Sequence, residues 1–342
     1  MRVLISGSQG YLGTVTAQVI TAAGHEVTGL DTGLFAGCVM GAGPIDPPTL
    51  ATDLRDVTAA DLTGFDAVIH LAALPGSAWD PTNREVVRHV NHLAAVRLAL
   101  AAKDAGVGRY LFASTCAVYG ERREEPVTES APLRPLTALA ESKLRVEEEV
   151  SELADSDFVP VFLRLASTFG FSPRFRSDRL LNLMVGDAVF SGEVAAPLGE
   201  NTRRPMVHVR DAADAFLRCL TARTEVVDCA AFNVGSESNT VTGTEIARAV
   251  VAEVPGATLG GTRVGVPVPG PGRVDFGAIR RDLGFEARWG IADGVAELHR
   301  AYVGSGVGAD DFFSRYCRRR RLRAMRESGE LDDDVRRQGV LA

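Results

Sequence analysis

Three evenly spaced glycines follow the first apolar run of the sequence. They are Gly7, Gly10 and Gly13 in the segment SGSQGYLG, residues 6–13. A turn that leads from a strand into a helix around a pyrophosphate excludes side chains, because the turn is tight, the backbone approaches the phosphates and the helix packs closely. The helix N-terminus then faces the negative charge. The spacing therefore predicts a dinucleotide-binding turn.

A carboxylate at the end of the second apolar run indicates which dinucleotide binds. Asp31 follows Gly13 by 18 residues, where a carboxylate can accept hydrogen bonds from both hydroxyls of an adenosine ribose. It would repel a 2'-phosphate, and no arginine occurs in the segment DTGLFAG that begins at Asp31. The sequence thus predicts NAD as the cofactor in preference to NADP.

Short apolar runs rich in Val, Ile and Leu alternate with longer stretches of helical period. Such runs predict buried strands at 2–6, 26–30, 67–72, 109–114 and 159–165. The stretches between them predict helices near 11–23, 83–104 and 137–154. Strands that alternate with helices in this way predict an α/β fold with a doubly wound parallel sheet, the Rossmann arrangement.

The regular alternation loosens after about residue 170, which indicates a smaller C-terminal substrate-binding lobe. We assign 1–170 to a NAD-binding Rossmann domain, to which strands near 206–209 and 231–234 return, and 171–303 mainly to the smaller lobe. The remaining residues, 304–342, predict a C-terminal helical extension. Its arginine run, 318–321, is followed by three aspartates, and this pattern favours a solvated helix face or a subunit contact over nucleic-acid binding.

Composition limits the class of protein. The 342 residues are 46% hydrophobic and 24% charged, which is typical of a soluble globular chain with a sizeable core. A formal charge of -7 argues against a surface built for nucleic acid. Five cysteines without a CxxC pair predict reduced thiols, with no disulfide framework and no metal site. The chain begins with a strand and has no long apolar run, so we expect a cytoplasmic protein without a membrane partner.

Further motifs occur in an order that resembles the extended short-chain dehydrogenase/reductase family, the NAD-dependent nucleotide-sugar epimerases and dehydratases. The resemblance covers most of 1–300 and rests on the glycine loop, DLRD (53–56), HLAA (70–73), STCAVYG (114–120), LRLASTFG (163–170), RRPMVHVRD (203–211) and FNVG (232–235). It implies NAD contacts from Gly7, Gly10, Tyr11, Leu12, Gly13, Asp31, Asp53, Leu54, Leu71, Ala72, Ala73, Lys143 and Ala166.

The same resemblance implies that the substrate is a nucleoside diphosphate sugar. The positions that match the family's substrate residues are Thr115, Ser167, Asn182, Arg204 and Arg273. Two guanidinium groups that converge on a diphosphate would supply charge-assisted, bidentate hydrogen bonds. Family members commonly pair through two long helices, here near 83–104 and 137–154, so the resemblance also implies a homodimer.

The segment PLTALAESK, 135–143, departs from the family pattern. Family members carry a tyrosine four residues before the lysine, and its phenol removes a proton as hydride leaves the sugar carbon. Here Leu139 stands in that place, although Lys143 is present and Thr115 matches the catalytic Ser or Thr. Loss of a general base costs typically about 10²- to 10⁴-fold in rate, so the usual mechanism cannot run unchanged.

Three interpretations remain open. The first keeps hydride chemistry with another base. This base is either Lys143, as in inverting 4,6-dehydratases that lack this tyrosine, or Cys116. The alternative for Cys116 is a structural role as a small buried side chain. In the first interpretation Thr115 passes the proton along, and Ala117, where retaining 4,6-dehydratases have Glu, argues against their elimination chemistry. The second allows proton transfer without net hydride transfer, and the third is a catalytically silent protein that binds NAD and a nucleotide sugar. We expect the first, as an epimerase or a related redox isomerase or dehydratase.

Overall fold

Parallel strands form the central sheet of the computed structural model, which describes residues 1–75, 84–121, 125–197, 202–263 and 270–338. The strands are β1 (Arg2–Ser6), β2 (Glu26–Leu30), β3 (Thr49–Leu50), β4 (Ala67–His70), β5 (Arg109–Thr115), β6 (Val159–Leu165), β7 (Ser167–Phe169), β8 (Glu193–Pro197), β9 (Arg204–His208), β10 (Ala231–Val234), β11 (Ser236–Val241) and β12 (Thr258–Arg263). The central sheet has seven strands in the order β10-β6-β5-β4-β1-β2-β3. This order confirms the doubly wound fold.

Helices cover both faces of this sheet. They are α1 (Tyr11–Ala22), α2 (Arg84–Arg88), α3 (Ala94–Asp104), α4 (Ala138–Ser151), α5 (Leu180–Ser191), α6 (Val209–Thr221), α7 (Thr224–Val227), α8 (Gly243–Glu253), α9 (Gly277–Leu283), α10 (Ile291–Ser305), α11 (Ala309–Phe313) and α12 (Arg318–Glu327). The apolar residues of α1 and α6 pack on one face, and those of α3 and α4 pack on the other. Because both faces are covered, every residue of β6 is buried.

The helix expected over 83–104 contains a wider turn. Between α2 and α3, His89–Leu93 adopts π-helical hydrogen bonding. Such turns are rare in proteins as a whole, but those that exist are frequently found at functional sites. Asn91 lies in this turn, and its amide donates to the Leu74 carbonyl at 2.9 Å and accepts from the Leu74 N–H at 2.7 Å. The asparagine thereby holds the chain that follows β4 at the wall of the crevice.

The crevice opens where the strand order reverses. The chain runs from β1 to β2 and β3 in one direction and resumes at β4 on the other side of β1. In sheets of this kind ligands bind at the carboxyl ends of the strands next to such a reversal. The fold therefore places the ends of β1 and β4, which Gly7 and Leu71 follow, at the expected cofactor position.

The second lobe is built on two small sheets, in the orders β11-β9-β7 and β12-β8, with α5, α8 and α10 packed around them. Strands near both 206–209 and 231–234 are expected to return to the Rossmann domain. β10 does return to the central sheet beside β6, but β9 does not. It pairs in parallel with β7, a continuation of the chain after it has left β6, and therefore belongs to the three-stranded sheet.

The C-terminal extension folds back onto the Rossmann domain. Leu322, Met325, Leu331 and Val335 form one apolar cluster with Leu74 and Val86, next to the loops that follow β2 and β4. The prediction that the arginine run forms a solvated face is wrong for the first residue of α12, because Arg318 is only 2% exposed, whereas Arg319 and Arg320 are exposed.

Among the described residues, the helices are all too short or too polar to cross a membrane.

Candidate active site

A cavity of about 990 Å³ follows the carboxyl ends of the central strands. The residues expected to contact NAD all line it, from the glycine loop and Asp31 to Asp53, Leu71 and Lys143. The others are Gly7, Gly10, Tyr11, Leu12, Gly13, Leu54, Ala72, Ala73 and Ala166. Thr115, Cys116, Ser167 and Arg204 also line the cavity. The fold thus brings distant sequence motifs together around one space.

The glycine loop leaves no room for side chains. Gly7 has a positive φ of 74°, and a Cβ there would lie 2.7 Å from the Ala72 nitrogen. A Cβ on Gly13 would collide with the Gly7 carbonyl oxygen, and the Gly10 N–H donates to the same carbonyl at 2.9 Å. Because the contacts are with backbone, which cannot swing aside, the loop keeps an open cradle at the N-terminus of α1 that fits a dinucleotide diphosphate.

We expect Gly13→Ala to weaken NAD binding at least about tenfold and to destabilise the fold by about 1–3 kcal/mol, since the added methyl group must displace backbone. Gly304→Ala is a matched control, because a Cβ on that helical glycine meets open space. Titration with NADH fluorescence and thermal melts measure the two effects. Equal NAD affinity of the Gly13 variant and the wild type would contradict the assignment of this loop to the diphosphate.

Asp31 lies at the end of β2 with its carboxylate held in place. It accepts hydrogen bonds from the Gln9 N–H at 2.9 Å and from the Gly33 N–H at 2.8 Å. Burial raises the pKa of Asp31, and these backbone donors, followed by the charges of Arg174 and Arg318, act in the opposite direction. A positioned carboxylate that borders the cavity fits the acceptor expected for the ribose hydroxyls.

Lys143 is buried in the wall of the cavity. Thr137 caps α4 by accepting the Ala140 N–H at 3.1 Å, and the first turn then places Leu139 and Lys143, four residues apart, on the same side of the helix. The lysine is 6% exposed, and its Nζ lies 4.4 Å from the centroid of the Phe112 ring. Burial lowers the pKa of Lys143 to about 7, against the opposing charge of Glu147. This amine can therefore lose its proton near neutral pH.

A buried polar network supports the segment that carries Thr115 and Lys143. Glu147, one turn after Lys143, forms an ion pair of 2.6 Å with Arg164 of β6 and accepts a hydrogen bond from the Ser114 hydroxyl. Arg164 also donates to the Tyr119 hydroxyl oxygen at 3.0 Å. The network ties β5, β6 and α4 together beneath the cavity.

The two residues after Ser114 differ in what they can do. Thr115 accepts the Ala117 N–H at 3.2 Å through its hydroxyl oxygen, which leaves the hydroxyl proton to donate toward the cavity. The Cys116 thiol donates to the Arg164 carbonyl at 3.0 Å, and burial raises the pKa of Cys116 far above neutrality. A thiol in this state stays protonated at pH 7 and so cannot accept a proton as a base. The geometry therefore argues against Cys116 as the base and favours the interpretation as a small buried side chain.

The tyrosines do not supply a substitute phenol. All five lie among the described residues, and each hydroxyl donates to an acceptor within the protein. The pairs are Tyr11 with the Gly170 carbonyl, Tyr110 with the Ala95 carbonyl, Tyr119 with Asn233 Oδ1, Tyr302 with the Asn182 carbonyl and Tyr316 with the Val39 carbonyl. Burial raises the pKa of Tyr11 and of Tyr119 well above the usual value, so neither phenol ionises near neutral pH.

Two of the expected substrate residues do not line the cavity. Asn182 is buried, its Oδ1 accepts the Gly170 N–H at 3.0 Å and its Nδ2 donates to the Arg176 carbonyl at 3.0 Å. This amide braces the loop after β7, and its oxygen and nitrogen are both engaged within the protein. Arg273 is exposed and lies outside the described cavity wall, which argues against its expected role in this conformation.

Several arginines that line the cavity are not predicted from the sequence. Arg176 and Arg179 come from the segment FSPRFRSDR after β7, and Arg318 comes from the start of α12. They lie outside the family motifs, and Arg318 reaches the cavity only because the extension folds back. A basic, proline-containing turn after β7 is the one sequence signal that points to the first two.

Residues 3–235 match the NAD dependent epimerase/dehydratase family, and the chain belongs to this family. The UDP-glucose 4-epimerase of Corynebacterium glutamicum is 29% identical over 253 residues, which cover 69% of this chain and 75% of that protein. The UDP-glucose 4-epimerase of Mycolicibacterium smegmatis is 28% identical over 87% of this chain and 97% of its own length.

Solved structures share the fold of this chain. MoeE5, solved in complex with UDP-glucuronic acid and NAD, superposes with a TM-score of 0.75 at 25% identity over 89% of this chain and 100% of that chain. The NAD-dependent NDP-hexosamine 5,6-dehydratase TunA, at 23% identity, shares the fold with a TM-score of 0.79 over 91% of this chain and 100% of that chain. The family is NAD-dependent and the glycine cradle and Asp31 fit a dinucleotide, so NAD is the cofactor.

Proposed function

We propose that the protein is an NAD-dependent nucleotide-sugar epimerase or closely related redox isomerase in which Lys143 replaces the family tyrosine as the acid/base group. The observation that carries this proposal is a buried amine in the cavity wall, with its pKa lowered by burial to about 7, one helical turn from Leu139. A general base works best when its pKa lies close to the working pH.

The protein's own residues would divide the proton transfer between them. Bound NAD⁺ supplies hydride acceptance from a sugar carbon and hydride return. The neutral Lys143 amine takes the proton of the hydroxyl on that carbon, and the resulting ammonium later returns it. Thr115 lies on the same wall and can donate its hydroxyl proton to the reacting oxygen. Such donation orients the oxygen toward the amine.

The amino-acid usage of the chain supports a chemical role for Lys143. Only two of the 37 basic residues are lysines, Lys103 and Lys143, and the rest are arginines. Lys103 is partly exposed and pairs with Asp155 at 2.6 Å. An arginine at position 143 could hold a charge but could not act as a base, because its guanidinium stays protonated in proteins.

The proposed substrate is a nucleoside diphosphate sugar, held by Arg204 and Ser167 on the side of the second lobe. The names of the curated relatives and the ligands of MoeE5 support this class of substrate. A homodimer through α2, α3 and α4 stays part of the proposal.

Incubation of a panel of nucleotide sugars with the protein and NAD⁺ in D₂O tests the function. An epimerase gives a product of unchanged mass and altered retention on chromatography, whereas a dehydratase gives a product lighter by one water. Solvent deuterium on carbon would indicate proton transfer at carbon. If one sugar binds and every sugar returns unchanged in mass and retention, the catalytically silent alternative replaces our proposal.

The pH dependence follows from the lysine. Proton removal needs the neutral amine, so we expect kcat/KM to fall tenfold per pH unit below about 7 and to level off above it. The tyrosine mechanism has no such requirement for a neutral lysine. Initial rates between pH 5.5 and 9, with NAD occupancy checked at each pH, measure the profile. A flat profile across pH 7 would contradict Lys143 as the base.

A further inference from the structure

The wall of the cavity carries an excess of positive charge from Arg176, Arg179 and Arg318. Arg176 pairs with Asp178 at 2.9 Å, and the charges of Arg179 and Arg318 also act on this aspartate. Burial opposes ionisation of Asp178, but Arg176, then Arg179 and Arg318, hold the pKa of this carboxyl below its usual value. We call these four residues the arginine cluster. The cluster holds three guanidinium groups and one carboxylate, so it carries a net positive charge.

Two guanidinium nitrogen atoms of the arginine cluster lack an oxygen or nitrogen acceptor. Nη1 of Arg318 and Nε of Arg179 are buried and have no oxygen or nitrogen acceptor among the described residues, and the Cys38 thiol is a weak neighbouring partner of the Arg318 guanidinium. Arg318 is 2% exposed, stacks at 4.3 Å over the Phe35 ring and donates through Nη2 to the Arg174 carbonyl at 3.2 Å. Burial lowers the pKa of both Arg179 and Arg318 to about 10. Buried guanidinium donors without acceptors, in the wall of a cavity, indicate a site for an anion.

The neighbours of the cluster indicate which anion. Arg318 donates to the carbonyl of Arg174, and the guanidinium of Arg174 donates to the Thr14 hydroxyl oxygen in the first turn of α1 at 3.3 Å. The charge of Arg318 also acts on Asp31 at the end of β2. In this fold the cofactor diphosphate runs between the helix N-terminus and the ribose acceptor at the end of β2. The cluster therefore faces the path of the cofactor diphosphate from the side of the second lobe and the extension.

We infer that Arg318, with Arg176 and Arg179, forms the outer half of the site for the NAD diphosphate, and that the C-terminal extension is thereby a part of the cofactor site. The two phosphate groups would neutralise the excess charge, and their oxygens would accept hydrogen bonds from Nη1 of Arg318 and Nε of Arg179. This inference rests on NAD as the cofactor and does not depend on the proposed reaction.

The extension is anchored at the adenosine end in a way that fits this role. Arg336 pairs with Asp56 at 2.5 Å, and Arg55 donates to the Asp334 carbonyl at 2.8 Å. Arg337 donates to the Gly33 carbonyl at 3.0 Å, next to Asp31. These contacts hold the extension over both loops that border the adenosine position. The backbone that carries Arg318 is thereby held in place next to the diphosphate.

Binding of NAD⁺, ADP, AMP and UDP to Arg318→Gln, measured by calorimetry, tests the inference. We expect affinity for NAD⁺ and for ADP to fall roughly ten- to a hundredfold, the usual effect of removing a charged hydrogen-bond donor, with a smaller loss for AMP and none for UDP. Arg323→Gln is the matched control, because it removes the same charge from an exposed position on the same helix. The control should change NAD⁺ affinity less than about twofold.

Two outcomes would overturn the inference. One is NAD⁺ affinity of Arg318→Gln within twofold of the control; the other is a loss confined to UDP, which would assign the cluster to the diphosphate of the sugar substrate. If Arg318→Gln fails to fold, Arg179→Gln on the second lobe replaces it, with the same four ligands and the same two criteria. None of these measurements needs turnover, so an inactive protein would refute the proposed reaction and leave this test intact.

Discussion

Replacement of Lys143 by methionine should lower turnover by about 10²- to 10⁴-fold while NAD remains bound, because methionine fills the same space and cannot accept a proton. The same variant should be more stable than the wild type. Burial costs the ammonium its solvation, and substitution of an apolar side chain for a buried charge commonly stabilises by about 1–4 kcal/mol. Steady-state rates and thermal melts measure the two effects on one preparation.

The pH dependence of this stability gain has a definite sign. The unfolded lysine has its ordinary pKa, about 10.4. The folded pKa is lowered to about 7, so the unfolded chain binds more protons between pH 7 and pH 10. The wild type therefore gains stability as pH rises through this window, and the advantage of Lys143→Met is largest below pH 7.

Lys103→Met, which removes the partly exposed lysine, is the control and should change neither turnover nor stability by much. Loss of NAD from Lys143→Met would assign the lysine to cofactor binding alone. Full turnover without the amine would exclude it as the base.

Replacement of Glu147 by alanine should destabilise the protein by about 3–5 kcal/mol, because it leaves the buried Arg164 without its carboxylate. A drop of at least about 5 °C in Tm is the expected result. Glu148→Ala, one residue further along the same helix, removes only an exposed pair with Arg145 at 3.7 Å and serves as the control.

The milder variant Glu147→Gln separates structure from chemistry. Since the charge of Glu147 raises the pKa of Lys143 against the effect of burial, its loss should shift the pH midpoint of kcat/KM downward. A folded Glu147→Gln protein with an unchanged profile would show that the glutamate has a structural role only. A Glu147→Ala protein as stable as the Glu148→Ala control would contradict the buried ion pair.

The sequence predicts the parts of the fold that depend on local pattern. β1, β2 and β6 begin and end at the expected residues, because strands buried on both faces appear as continuous apolar runs. The residues expected to contact NAD line one cavity for a related reason. The motifs sit at strand ends, and a parallel sheet brings all its carboxyl ends to one edge.

What the sequence does not predict depends on contacts between distant segments. β9 pairs with β7 instead of the central sheet, and this pairing is decided by where the chain goes after β6. Asn182 carries the expected side chain, but the loop after β7 takes up its amide. Arg318 looks like one of four surface arginines until the extension folds onto Phe35 and buries it. Residue type and spacing do not encode such long-range packing.

The two lysines give this protein a spectroscopic advantage. A chain labelled with ¹³C-lysine contributes only two side-chain signals, from Lys103 on the surface and Lys143 in the cavity wall. The aromatic ring of Phe112, 4.4 Å from Nζ, would shift the second signal away from the first. The protonation state of the proposed acid/base group can then be followed by NMR in the resting protein, with no substrate identified and no residue replaced.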